Sequence, residues 1–233
     1  LKIANTTKDL LNSLSESNLA NQLQLLLTDL GVAYSQSPQA LAATAALKEH
    51  KRLKSLEEVL MLAASNLSRN LHSNQLASDV VSAKVEYLKC RGSSERALVM
   101  IPVLEALEKH KTIRTVIDSL VTQTGLLDKS PADESLALKL QQVKTIFEKT
   151  EGGDENLGEY IAAKNLLSVY DVLRDAISDM VTKTVALEGS FTNDNLASEL
   201  DVSYQHFYST FRADTKMPEA VRAVNYGKIH DAL

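Results

Sequence analysis

The chain has 233 residues, of which 44% are hydrophobic and 24% charged; 25 basic and 30 acidic side chains leave a net charge of -5. This near-average composition excludes a disordered chain, and 8 Gly, 4 Pro and one Cys exclude collagen-like and disulfide-stapled classes. No run approaches the roughly 20 apolar residues of a membrane-spanning helix.

Ala and Leu dominate the apolar residues, which suits helix-on-helix packing. The apolar periodicity is helical from Leu19 to Phe211, in steps of three and four, without convincing strand alternation. The predicted helices run 6–34 with a break near Ser15-Glu16-Ser17, then 38–53, 56–71, 75–90, 94–110, 112–127, 131–150, 155–188, 193–212 and 218–230. Several start signals support these spans. Ser37 precedes Pro38, Ser130 precedes Pro131, and Ser55 with Glu58 reads as a capping box. Thr192 or Asn193 caps the segment through Leu200, and stops fall at Gly92, Gly152-Gly153 and Gly189. The expected fold is all-α, an elongated antiparallel helical bundle of eight to ten helices. The bundle is expected over 1–212, with a sub-bundle boundary near 128–131 or 150–156, and a tail helix over 213–233. The apolar stripes share no marker residue, so no internal repeat is read from them.

The longest stripe is Leu166, Tyr170, Leu173, Ile177, Met180, Thr184 and Leu187, spaced four, three, four, three as in a heptad seam. It reads as bundle core, with a self-association coiled coil as the alternative. Asp171, Asp175 and Asp179 form an acidic ridge beside it, next to Arg174. In Gly152-Gly153-Asp154-Glu155-Asn156, Asp154 or Asn156 is expected to cap the long helix. The run Ala97 to Leu104 is apolar throughout and reads as a centrally buried helix or, alternatively, a groove for a lipid or helix.

No phosphate-binding loop, nucleophile elbow or zinc-binding helix motif is present, and the five histidines lack partners at metal spacing. No catalytic, cofactor or metal residue is therefore assigned, and no enzyme activity is expected. The expected function is a non-catalytic helical interaction protein: a scaffold, adaptor or tether subunit that binds a protein partner or itself. The partner-binding candidates are the aromatics Tyr204, Phe207 and Phe211, the ridge Asp171, Asp175 and Asp179, and the basic run with Lys48, Lys51 and Arg52. The segment 193–233 is expected to be the least stable and the main partner-contact region. The alternatives are an anion-binding module for nucleic acid or a membrane surface, using Lys48 to Lys54, or an apolar-ligand carrier built on 97–104. The acidic balance argues against nucleic acid. One Cys and no secretory leader point to an intracellular, cytoplasmic protein; the non-Met start leaves a processed organellar or secreted protein open.

Overall fold

The computed structural model describes residues 2–31 and 35–232. Among the described residues there are nine helices and no strand: α1 (Lys2–Asn12), α2 (Ser17–Leu30), α3 (Pro38–Arg69), α4 (Asn74–Leu88), α5 (Met100–Lys129), α6 (Glu134–Lys149), α7 (Gly158–Glu188), α8 (Asp194–Ser209) and α9 (Pro218–Asp231). Two compact units divide within α5, one up to Arg114 and one from Thr115 onward. In the first, α3 packs on α1, α2 and α4; in the second, α7 packs on α6, α8 and α9. Helical-bundle packing thus holds in each unit.

Local chemistry explains the starts. The Ser37 hydroxyl accepts from the Ala40 amide with Pro38 at the first helical position, and Ser73, Asp133 and Asn193 cap α4, α6 and α8 in the same way. Four expectations need correcting. Helices 38–53 and 56–71 are one helix, α3, and Ser55 lies in its interior rather than capping. Helices 94–110 and 112–127 are likewise one helix, α5. Ser130-Pro131 lies in the turn before α6, which Asp133 caps. The N-cap of α7 is Leu157, and Asp154 instead accepts from the Asn156 backbone within the preceding turn.

The structure also corrects the absence of a repeat. The long helices α3, α5 and α7, and α9, which at 14 residues matches only their front half, begin at 38, 100, 158 and 218, and the short helices α4, α6 and α8 at 74, 134 and 194, a recurrence of about 60 residues. Buried positions recur at intervals of 60: Leu53, Ile113 and Leu173; Leu67, Leu127 and Leu187; Tyr87, Phe147 and Phe207. The turns after the short helices repeat a left-handed residue at Gly92, Gly152 and Arg212, with φ of 83°, 89° and 70°. Glycine suits the first two; Arg212 takes the same conformation with its guanidinium paired to Asp128 at 2.6 Å. Three histidines repeat one contact. His50 Nδ1 lies 2.6 Å from the Leu14 carbonyl, His110 Nδ1 2.6 Å from that of Leu71, and His230 Nδ1 2.7 Å from that of Phe191. His50 and His110 tie the front half of α3 and α5, and His230 the end of α9, to the turn before the preceding short helix. Tyr170 takes this position in the remaining copy. The first copy is three residues shorter, which is why its tie spans 36 residues and the others 39.

The α7 seam is core. Leu166, Tyr170, Leu173, Met180, Thr184 and Leu187 are buried, while Ile177 is half-buried because Ala176 takes the innermost place. Leu173, Ala176, Met180 and Leu187 share one cluster with Leu200 and Phe207 of α8 and with Ala220 and Ala223 of α9. The segment read as a tail is therefore built into the second unit. The Tyr226 hydroxyl donates to Glu188 Oε1 at 2.7 Å, and Arg222 pairs with the same carboxylate.

Candidate interaction surfaces

The three aromatics of α8 and its following turn separate by depth. Phe207 is fully buried, Tyr204 is half-buried against the same core, and Phe211 is 68% exposed. One candidate anchor of the three is thus core, and the burial of Phe207 follows from its place in the row with Tyr87 and Phe147. The structure brings Phe211 beside α7, where it lines a groove of about 380 Å³ with Val169 and Val172. The Arg212 guanidinium sits 5.1 Å over the Phe211 ring.

The ridge is not uniform. Asp171 and Asp175 flank Arg174 at 3.5 and 2.9 Å and stay exposed. Asp179 turns toward α8 and accepts from the buried Ser203 hydroxyl. It stays exposed like the other two, but one of its oxygens is engaged by Ser203.

Lys48, Lys51 and Arg52 are exposed, and none forms a salt bridge among the described residues. Their position differs from the expected helix end: they lie mid-way along α3, away from its C-terminal dipole. Arg52 lies near enough to Glu86 to help hold its carboxyl below the usual range, although Lys89, which hydrogen-bonds that carboxylate, contributes more.

The run 97–104 corrects an expectation. Only Met100 and Val103 are buried, and Leu98, Ile101 and Leu104 are 82%, 60% and 47% exposed. The helix starts at Met100, so Leu98 belongs to the turn before it. Leu98, Val99 and Pro102 face Met61 of α3 across a shallow groove of about 420 Å³, with Lys54 and Glu57 paired at its edge at 2.9 Å.

One recurring surface position was missed altogether. Leu41, Ile101, Ile161 and Val221 occupy the same place near the start of α3, α5, α7 and α9, at 60-residue intervals. They are 53%, 60%, 44% and 44% exposed. The signal lies in the sequence as four aliphatics at a fixed period, visible once the repeat is in register.

Among the described residues, no group of three or more His, Cys, Asp or Glu is placed to hold a metal ion, and no helix is long and apolar enough to cross a membrane. The lone Cys90 is buried. No protein family, curated protein or solved structure matches this chain.

Proposed function

We propose that the chain is a non-catalytic repeat protein that serves as a scaffold, adaptor or tether by presenting the same surface position from each copy of its helical module. The carrying observation is the fourfold recurrence of an exposed aliphatic at Leu41, Ile101, Ile161 and Val221. A single exposed aliphatic is ordinary on a protein surface. Recurrence at one structural position, in modules whose inner positions are separately filled, supports use of the outer face for binding, as in other repeat arrays. Leu98 and Leu104 widen the patch around Ile101. The test is recovery from native extract of the protein and of a Leu98→Asp/Ile101→Asp variant, with co-purifying chains identified. A stoichiometric protein partner held by the first and lost by the second, with unchanged helix content, is expected. Recovery of no stoichiometric chain, in parallel with a monomeric mass in solution, refutes the reading.

The position of Lys48, Lys51 and Arg52 favours a second reading, contact with an anionic partner, because these cations compensate neither a helix terminus nor a neighbouring carboxylate within salt-bridge distance. A salt-dependent affinity for heparin that disappears when all three become Ser is its signature.

A further inference from the structure

A groove of about 720 Å³ in the second unit runs between α8 and α9. Its floor is apolar: Ala197, Leu200 and Tyr204 from α8, and Ala223 and Val224 from α9. Gly227 opens it. Two features show that the backbone does not require glycine there. Gly227 lies inside α9 with no left-handed φ, and a Cβ on it would meet nothing within 4 Å. Glycine inside a helix instead costs about 1 kcal/mol relative to alanine.

The internal copies show what the groove lacks. The positions equivalent to Gly227 in the preceding modules are Leu47, Leu107 and Leu167, spaced by 60 residues, the first buried and the other two half-buried. Leu47 sits on α3, which packs on α2 as α9 packs on α8. The α8–α9 groove is thus a leucine seat without its leucine.

The rim differs from the other copies as well. Asp194, Asp201 and Asp231 border the groove with the single ammonium of Lys228 and with His230, whose Nε2 lies 3.6 Å from Asp194 Oδ1. The positions equivalent to Asp201 are Gln24, Val81 and Gln141, and those equivalent to Asp231 are Lys51, Lys111 and Asp171. Only this copy combines an empty aliphatic seat with three carboxylates.

We infer that the α8–α9 groove docks a partner helix that inserts one aliphatic side chain into the seat beside Gly227 and carries basic residues on either side of it. The inference rests on the interaction reading above and names one partner class and its place. A helix laid along the groove delivers a leucine to Leu200 and Ala223, and lysines one turn away reach Asp201 and Asp231. Anchors of this kind are how amphipathic helices enter grooves.

The probe is an alanine-based, amidated helical peptide of about 16 residues with one leucine flanked at four-residue spacing by lysines, long enough to hold helix in water. It is titrated against the full chain by fluorescence anisotropy. Binding that weakens with salt is expected, and replacing the peptide's leucine by alanine should weaken it roughly 10- to 100-fold, the worth of one buried leucine. Gly227→Leu fills the seat from within and should abolish binding while leaving the melting temperature equal or higher. Asp201→Lys, which leaves the seat open, should shift preference toward a peptide with glutamates in place of the lysines. Equal binding by Gly227→Leu, equal binding of leucine and alanine peptides, or no binding at millimolar peptide overturns the inference. If Gly227→Leu retains a native-extract partner that Leu98→Asp/Ile101→Asp loses, the groove is refuted and the repeat-surface reading stands. If no chain is recovered with any variant, the reading itself fails.

Discussion

Phe207→Ala separates core from anchor among the clustered aromatics. The Phe207 ring is fully buried in the cluster with Leu173, Met180, Leu200 and Ala220, and lies 6.4 Å from the Tyr204 ring. Removing it forfeits about 2 kcal/mol of transfer free energy. A cavity of about 100 Å³ left without collapse adds about 2.4 kcal/mol at roughly 24 cal/mol per Å³. The total, about 4 kcal/mol, lies within the range for buried phenylalanine. Phe211→Ala removes a ring that is 68% exposed and should change stability by less than about 0.5 kcal/mol. Hydrogen exchange resolved along α7 and α8 reads both. At 1.36 kcal/mol per decade, Phe207→Ala should lower protection in these helices by about three decades. Phe207→Leu, which keeps most of the volume, should lower it by about one decade or less. Equal effects of Phe207→Ala and Phe211→Ala, or a change below one decade for Phe207→Ala, would refute the assignment of Phe207 to the core.

Three further outcomes follow from single contacts. His110→Ala strands the Leu71 carbonyl and should cost about 1–2 kcal/mol, seen as faster exchange at 70–76, with exchange in the second unit unchanged. Glu148 is held below its usual pKa of 4.5, first by the hydrogen bond from Lys144 at 2.6 Å and next by that from the Tyr160 hydroxyl at 2.6 Å. A depressed carboxylate pKa adds stability above the unfolded value and loses it on protonation. The difference between the native chain and Glu148→Gln in urea should therefore be fully present at pH 7 and vanish as pH falls below about 4. Gly92→Ala should destabilise by more than about 1 kcal/mol, because its φ is 83° and a Cβ would lie 2.8 Å from that of Leu14. Gly125→Ala, in open space inside α5, should stabilise by about 0.5–1 kcal/mol; thermal melts distinguish them.

The helix faces were legible because burial demands apolar residues at three- and four-residue steps, and α7 shows this at Leu166, Tyr170, Leu173 and Met180. The joins were not. Ser55 with Glu58 satisfies a capping pattern, yet continuous packing of α3 on α1, α2 and α4 carries the helix through it. The run 97–104 misled because hydropathy alone cannot show that a turn precedes Met100 and leaves Leu98 outside. The repeat stayed hidden because each core position is filled by whichever aliphatic fits, as at Leu53, Ile113 and Leu173. Its legible traces were functional groups rather than stripes: histidines at 50, 110 and 230, aromatics at 87, 147 and 207, and glycines at 92 and 152. The groove at Gly227 becomes visible only by comparison with Leu47, Leu107 and Leu167, which needs that register first.

The histidine ties have a consequence for how the chain folds. Each closes a loop of only 36 to 39 residues. Doubling a loop adds only about 0.6 kcal/mol of closure entropy, and native contacts that lie near in sequence speed folding. A nucleus can form at any one module and grow by docking the next long helix onto a turn already made. Replacing one tie should then slow growth across its own junction and leave the others at their native rates.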